Sequence, residues 1–219
     1  MTDILFVFCL LVGYLIGSFP TGYWVARSQG VDIQSIGSGN IGATNVLRAV
    51  GVLPALIVVI ADPLKGMLAV LLADLMGLNE WGLVLAGLAA VLGHNFNVFL
   101  GFKGGKGIAT SLGVGLAIAP AAALAAAAIG LFTMVIGRYV SLGSLVGLVS
   151  APLFLIMQPS FTLPQLFLIG SLAALAVIRH RENIVRLANG NERRIGEKAQ
   201  VEGAKAASAA EPQPESRGA

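Results

Sequence analysis

Charged residues are scarce in this sequence. Only 11% of its 219 residues are Asp, Glu, Lys or Arg, whereas soluble globular proteins carry about 25%. Apolar runs of roughly 20 residues, the length that crosses the hydrocarbon core of a bilayer, separate short polar segments. The mean hydropathy is +0.84. These features exclude a soluble globular protein and predict an all-α, polytopic membrane helix bundle.

Cysteine is also nearly absent. The single cysteine, Cys9, lies inside an apolar run, which excludes a disulfide framework. The first apolar segment, residues 4–19, follows Asp3 and lacks the basic region that opens a signal peptide. We therefore expect this segment to remain as a membrane span.

Several catalytic signatures are missing. Phe99 and Val185 stand five residues after the two histidines, so neither histidine begins an H-x-x-x-x-D motif. The sequence has no G-x-S-x-G elbow, no aspartate cluster for metal-dependent phosphotransfer and no P-loop. Gly37, Gly39 and Gly42 match G-x-G-x-x-G, but they lie between membrane helices rather than in a βαβ unit, which excludes a dinucleotide fold.

The apolar runs predict seven transmembrane helices. Pro63 predicts a kink in the second helix, and Pro120 separates the fourth from the fifth. Joining those two would leave six helices and place both chain ends on one side. The predicted helices are 4–25, 49–77, 80–98, 107–119, 120–137, 142–157 and 163–179.

The positive-inside rule favours seven helices. With that count, every basic residue except Lys65 falls in or beside the polar segments of one side, at 26–48, 99–106, 138–141 and 180–219. The N-terminus is then outside and the C-terminus cytoplasmic. We expect residues 1–198 to form a single transmembrane catalytic domain. Residues 199–219, rich in Ala, Glu, Pro and Ser, are expected to form a disordered cytoplasmic tail.

Four polar segments on the predicted cytoplasmic side carry the chemistry. Closely spaced glycines let backbone N–H groups converge on an anion, above all where the chain enters a helix. The lysines, arginines and histidine of the other segments suit the same anionic ligand. The segments are GSGNIGATNVLR (37–48), FKGGKG (102–107), RYVSLGS (138–144) and RHRENIVRLANGNE (179–192).

Each segment also has a simpler interpretation. The first is a flexible loop in which Thr44 or Asn45 caps a helix, and the two lysines of the second are topology anchors. Ser141 is a small residue that permits close helix packing. The fourth segment is a basic interfacial helix that binds anionic head groups. His94 is interpreted as a helix-end histidine rather than a catalyst.

Asp62 and Lys65 lie three residues apart within the second apolar run, so they share one face of its helix. A charge in the membrane interior costs about 2.5–3.5 kcal/mol on insertion scales. We therefore expect these two side chains to pair with each other or to face a wet cavity, as structural support.

The four segments, in this order, resemble the acyl-phosphate:glycerol-3-phosphate acyltransferase family of bacterial inner membranes, over about residues 5–196. The resemblance implies a seven-helix, multi-pass protein of the cell inner (plasma) membrane with a cytoplasm-facing active site. It implies acyl transfer from acyl phosphate to the 1-position of glycerol 3-phosphate, giving lysophosphatidic acid and phosphate, the first acylation of phospholipid synthesis. Membrane lipids are expected partners, whereas no metal, other cofactor, coenzyme A or nucleic acid is expected.

The resemblance also assigns residues. It implies catalytic roles for His180, Asn183, Lys106 and Ser144. Two positions depart from the family pattern: Asn97, where the family often has proline, and Arg194, where it often has lysine. The residues that the resemblance places on substrate phosphate are Ser38, Gly39, Asn40, Gly42, Thr44, Asn45, Arg48, Lys103, Gly104 and Gly105.

The absence of a nucleophile motif agrees with that chemistry, because an acyl phosphate is already an activated mixed anhydride. The enzyme then needs mainly to align two phosphorylated substrates and neutralise charge. The general base is either the phosphate of glycerol 3-phosphate or His180. A transporter or channel for a phosphorylated solute is the alternative function, but it should have polar groups near the membrane midplane. A lipid-binding scaffold is a third possibility.

Overall fold

The computed structural model describes residues 2–197, and within that range it contains helices and no strand. The all-α class predicted from the sequence is confirmed. The predicted tail at 199–219 lies outside the described residues. The helices are α1 Thr2–Ser18, α2 Thr21–Ser28, α3 Ala43–Ala49, α4 Val52–Leu75, α5 Glu80–Asn95, α6 Ile108–Ile118, α7 Pro120–Gly137, α8 Val140–Ile156, α9 Leu163–Arg179 and α10 Arg181–Ala188, with a 3-10 turn at Val98–Leu100.

Each predicted apolar helix has a counterpart, but the first is broken. The helix predicted at 4–25 divides into α1 and α2 at Phe19 and Pro20, because proline has no N–H for the helical ladder. Pro120 is the first residue of α7, where a missing N–H costs nothing, so the predicted break between the fourth and fifth helices is confirmed. Pro63 lies inside the continuous helix α4.

Four of the described segments are long and apolar enough to cross a membrane, namely Ile4–Ser28, Val52–Leu75, Glu80–Leu100 and Pro120–Gly137. The pair α9 and α10, bent by 60° at His180, gives a fifth. Helix α6 has only 11 residues, which is about 16 Å at 1.5 Å per residue and about half of the bilayer core. The chain is an integral membrane protein, and seven crossings remain a prediction.

Glycines allow the apolar helices to approach closely. A Cβ on Gly17 of α1 would overlap the backbone of Ala90 in α5, and one on Gly113 of α6 would overlap the backbone of Pro63 in α4. Without water to drive helices together, such close contact is what associates them in a membrane. Large apolar side chains such as Phe132 remain on the outer surface. This tight bundle holds residues of α4 to α8 in fixed positions around a polar cavity.

Candidate active site

The four polar segments meet at one end of the bundle. Together they line a cavity of about 320 Å³, and a second, more polar cavity of about 340 Å³ lies beside it. Both cavities are lined by Ser38, Asn40, Lys106, Asn183, Arg186 and Arg193. Further lining residues of the first are Gly42, Thr44, Asn45, Arg48, Ser141, Ser144, His180 and Glu192.

The first segment takes its shape from Asn45, which is 3% exposed. Its Nδ2 donates to the carbonyl oxygens of Ile33 and Ile36, at 3.2 and 3.0 Å, and its Oδ1 accepts from the N–H of Ser38 at 3.2 Å. Both amide hydrogens are therefore bound to the loop backbone. The structure places Asn45 in the cavity wall as the residue that holds the glycine loop.

Asn40 and Gly42 form the entry to α3. The side-chain Oδ1 of Asn40 accepts from the N–H of Gly42 at 2.8 Å, and α3 begins at the next residue, Ala43. Gly39, with φ +66°, adopts a backbone conformation that favours glycine. The exposed Ser38 lies at the mouth of both cavities.

Arg48 and Arg193 connect the first segment to the residues that directly follow the fourth. The Nη2 of Arg48 donates to the carbonyl oxygens of Arg193 and Arg194, at 3.5 and 3.3 Å. The Nη2 of Arg193 donates in return to the carbonyl oxygen of Gly37 at 3.2 Å. Burial, and after it the positive charge of Arg193, lowers the pKa of Arg48. An anion in the cavity would relieve this mutual repulsion.

Arg179 holds the second segment by hydrogen bonds to its backbone. Its Nε and Nη2 donate to the carbonyl oxygen of Gly105 at 3.1 and 2.8 Å, and Nη2 also donates to that of Gly104 at 3.1 Å. The guanidinium lies over the ring of Phe96, 5.3 Å from its centroid. Both glycine carbonyls are thereby bound to a cation, and Gly104 and Arg179 both line the second cavity.

The two lysines of this segment have different surroundings. Lys106 lines both cavities, and its Nζ donates to Asn183 Oδ1 at 2.6 Å. Burial lowers the pKa of Lys106 to about 8, and the nearby Glu192 opposes this shift. Lys103 is exposed and, like Gly105, lines neither cavity. The structure brings Lys106 into the site and leaves Lys103 at its edge.

Glu192 is the centre of a hydrogen-bond cluster. Its Oε1 accepts from Ser141 Oγ at 2.8 Å and from Asn183 Nδ2 at 2.6 Å, and its Oε2 accepts from Arg186 Nε at 2.8 Å. Burial raises the pKa of Glu192, but the bonds from Arg186, Asn183 and Ser141 together outweigh it and hold this pKa below its ordinary value. The carboxylate thus stays ionised and orients Asn183 towards Lys106.

Sequence reasoning missed part of this cluster. It interpreted Ser141 as a packing residue and gave no role to Glu192 or Arg186. The hydroxyl of Ser141 instead binds Glu192. The sequence did contain a signal for Glu192, an acidic residue among arginines next to a membrane helix. A carboxylate in such a place is expected to be paired.

His180 and Ser144 complete the cavity. His180 is 2% exposed, and its Nδ1 lies 2.8 Å from the carbonyl oxygen of Ala176. A carbonyl only accepts, so Nδ1 carries the hydrogen and Nε2 is the acceptor. The hydroxyl of Ser144 donates to the carbonyl oxygen of Val140 at 2.8 Å, which leaves its lone pairs available to a ligand's donor.

An apolar cavity continues from the polar one into the bundle. It has a volume of about 190 Å³ and lies among α6, α7, α8 and α9. Its walls are almost entirely aliphatic, and it shares Ile108, Leu112, Met134 and Ser144 with the first polar cavity. A ligand with a charged head and an apolar chain would fit across this junction.

Within residues 2–197, no three His, Cys, Asp or Glu side chains lie close enough together to hold a metal ion. The expectation that the reaction needs no metal or cofactor stays a prediction.

Comparison with known proteins identifies the family. Residues 7–190 match the family model described as glycerol-3-phosphate acyltransferase. The chain is 50% identical to a glycerol-3-phosphate acyltransferase of Thermus thermophilus over 197 residues, 89% of this chain and 98% of that one. It is also 50% identical to glycerol-3-phosphate acyltransferase 1 of Deinococcus radiodurans over 190 residues, 86% and 95% of the two chains.

Solved structures agree with these matches. A crystal structure of PlsY, an integral membrane glycerol 3-phosphate acyltransferase, in its glycerol 3-phosphate form superposes with a TM-score of 0.82. Its sequence is 44% identical, and the match covers 87% of this chain and 96% of that one. The lysophosphatidic acid form of PlsY gives a TM-score of 0.81. The resemblance that the four polar segments predicted is therefore confirmed, and the chain belongs to the glycerol-3-phosphate acyltransferase family.

Proposed function

We propose that this protein transfers a fatty acyl group from acyl phosphate to the 1-hydroxyl of glycerol 3-phosphate, forming lysophosphatidic acid and phosphate. One observation carries the proposal. Two polar cavities of about 320 and 340 Å³ share a cationic wall, and the first continues into an aliphatic cavity of about 190 Å³. This arrangement offers places for two phosphate groups and one acyl chain. The solved glycerol 3-phosphate and lysophosphatidic acid forms of PlsY support it.

The residues of the cavity divide by role. Ser38, Gly39, Asn40, Gly42 and Thr44 present the first glycine loop to a phosphate, and Arg48 adds positive charge. Ser144 lies at the junction of the first polar cavity and the apolar cavity, where the reacting carbonyl would be. Lys106 lies between the two polar cavities, where it can reach a phosphate in either. His180 and Asn183 orient glycerol 3-phosphate.

The reaction is a displacement at the acyl carbonyl carbon. The oxygen of the glycerol hydroxyl forms the new C–O bond, and the bond between the carbonyl carbon and the phosphate oxygen breaks with its electron pair leaving on phosphate. The protein aligns the two substrates and stabilises the developing negative charge. Lys106 supplies such charge from a desolvated position.

We propose that the phosphate of glycerol 3-phosphate takes the hydroxyl proton, and that His180 binds substrate. If so, the acidic limb of the pH–rate profile persists in His180→Ala and moves when a phosphonate of shifted pKa replaces the phosphate, because phosphate esters have a second pKa of about 6. A limb that ignores the analogue and vanishes in His180→Ala would identify the histidine as the base.

The acyltransferase proposal is tested with purified protein and glycerol 3-phosphate. Palmitoyl phosphate is expected to give lysophosphatidic acid, and palmitoyl-CoA is not. The alternative is a transporter or channel for a phosphorylated solute. It predicts no acyl transfer from either donor, and uptake of glycerol 3-phosphate into vesicles that contain the protein. The convergence of the polar segments at one end of the bundle favours the enzyme.

We propose further that the site faces the cytoplasm of the inner membrane, with the N-terminus outside and the C-terminus inside. In a Cys9→Ala background, a cysteine placed in 158–162 is expected to react with an impermeant thiol reagent added to cells. One placed in 101–107 is expected to react only after lysis. Labelling of the second position in intact cells would show that the orientation is the reverse of the one proposed.

A further inference from the structure

A buried ionic cluster lies beneath the second glycine segment. The Nζ of Lys65 is 2.9 Å from Asp62 Oδ1, 2.8 Å from His94 Nδ1 and 3.2 Å from the carbonyl oxygen of Phe19. The ammonium group, with three hydrogens, thus has three acceptors around it. Asp62, Lys65 and His94 are only 3%, 7% and 3% exposed. The expected pairing of Asp62 with Lys65 is confirmed, but His94 is a third member that sequence reasoning left out.

Lys65 fixes the state of the His94 ring. An ammonium group only donates, so Nδ1 of His94 accepts and its Nε2 carries the hydrogen. The basic lone pair of the ring, on Nδ1, therefore already accepts a hydrogen bond from Lys65. His94 lines the cavity, but it has no free basic nitrogen with which to take a substrate proton.

The other edge of the His94 ring supports Gly105. A Cβ on Gly105 would overlap Nε2 of His94, so ring and backbone are in direct contact there. The N–H of Gly105 also donates to the carbonyl oxygen of His94 at 3.0 Å. On the opposite side Arg179 binds the carbonyl oxygen of Gly105. Gly105 is thus clamped between His94 and Arg179, immediately before Lys106.

We propose that Asp62, Lys65 and His94 are positioning residues, which orient the imidazole that supports Gly105 and thereby set where the amine of Lys106 lies. Charged side chains within a membrane bundle are costly and are usually retained for function. Simple packing at this place would need only apolar residues, whereas a ring of fixed orientation needs a donor at Nδ1. The use of acyl-transfer activity to measure this positioning rests on the proposed function.

The position of Lys106 can be measured without substrate. Its side chain is half-buried, and the amine is faced by Glu192, Arg186, Glu182, Arg179 and His180. Modification by an amine-reactive reagent, quantified at Lys106 by peptide mass spectrometry over a pH series, reports the pKa of this amine. In the wild type the midpoint is expected at about 8. An amine displaced towards water would titrate nearer its ordinary value of 10.5.

The main variant is the double substitution Asp62→Asn with Lys65→Met. It removes both buried charges together, so neither is left unpaired, and it deprives His94 of its donor. We expect a folded protein in which the Lys106 midpoint rises and kcat/KM falls by about 10²-fold. Asp74→Asn, which removes an exposed carboxylate from the same helix, is the matched control and should change neither value.

A second pair of variants tests the contact itself. Gly105→Ala places a methyl group in the His94 ring and should be strongly impaired. His94→Ala removes the ring and, alone, should also lower kcat/KM. The double variant should lose about tenfold less than the two single losses combined, since contacting residues couple in double-mutant cycles. This cycle keeps the test informative even if the Asp62 and Lys65 variant fails to fold.

The outcomes separate the two proposals. An unchanged Lys106 midpoint and unchanged kinetics in the folded Asp62 and Lys65 variant would overturn the positioning role, as would losses of Gly105→Ala and His94→Ala that simply add in the double variant. If the wild type shows no acyl transfer, the proposed function fails, and the labelling midpoints alone decide the positioning role.

Discussion

The two glycine-rich segments of the cavity, 37–48 and 102–107, have similar compositions but contact the rest of the protein differently. In the first, Gly37 and Gly39 have φ of +65° and +66°. The side chain of Asn45 holds this loop by hydrogen bonds to the loop backbone. Glycine is needed there for the path of the chain. The segment leaves much of its backbone beside the cavity.

In the second segment, Gly107 also has a positive φ, of +77°, but Gly104 and Gly105 do not. At these two positions glycine is needed because other groups are too close: a Cβ on Gly104 would overlap the backbone of His94 and Asn95. The comparison shows that a glycine-rich sequence can mean a ligand-shaped loop or a tightly packed support. We therefore propose that the first segment meets a phosphate and that the second holds Lys106.

The largest expected effect comes from the lysine that the second segment holds. Lys106→Met keeps the length of the side chain but removes its charge, and should lower kcat/KM by about 10²–10³-fold, the usual loss for a donor aimed at developing charge. Lys103→Met, in the same segment but exposed, should have a much smaller effect. Acyl transfer from palmitoyl phosphate measures both. Equal losses would show that the segment acts through its net charge rather than through one placed amine.

Gly104→Ala should be the next most harmful change. The added Cβ meets backbone atoms that cannot rotate away, so the segment must shift, and kcat/KM should fall by about 10²-fold. Overpacking of this kind also destabilises proteins by about 1–3 kcal/mol, which a thermal melt in detergent would record. Gly170→Ala is the matched control, because a Cβ there has nothing within 4 Å. Wild-type kinetics for Gly104→Ala would refute the packing explanation.

The sequence predicted what is local and repetitive. Apolar runs of membrane length predicted the helices, and the placement of cations predicted that four polar segments share one end of the bundle. It could not predict partners brought together by packing. Ser141 and Glu192 are 51 positions apart, and Lys65 and His94 are 29 apart; neither pair leaves a periodic pattern. The resemblance places Asn45 on substrate phosphate, and the sequence could not show that its amide group also binds the loop backbone.

A rise in pH should act on the second segment by removing the charge of Lys106. With a pKa of about 8, Lys106 is mainly protonated below pH 8 and loses its charge as pH rises through that value. Attraction for phosphate should therefore weaken above pH 8, with kcat/KM falling by about tenfold per pH unit if only this proton matters. Lys106→Arg should move the basic limb upwards, because a guanidinium stays charged. A limb that does not move in Lys106→Arg belongs to another group.

Gly39→Ala tests the chain path in the first segment. A left-handed conformation costs an L-residue about 1–2 kcal/mol, and the new Cβ would lie 2.9 Å from the carbonyl oxygen of Gln34. Because the strain falls on the loop and not on the helices, the protein should stay folded while KM for glycerol 3-phosphate or acyl phosphate rises by about fivefold, the equivalent of about 1 kcal/mol. An unchanged KM would favour the flexible-linker interpretation.

The smallest effect is expected from Gly42→Ala, which separates strain from ligand approach within the same segment. Gly42 has φ −75°, which any residue adopts, and its new Cβ would meet only Asn40 Oδ1, at 3.1 Å. The protein itself should therefore accept alanine, with a shift in stability within about 0.5 kcal/mol. A modest rise in KM with constant kcat would then come from the methyl group narrowing the phosphate's approach to the backbone. If KM does not change while Gly39→Ala raises it, the phosphate contacts the loop before Gly42 and not the entry to α3.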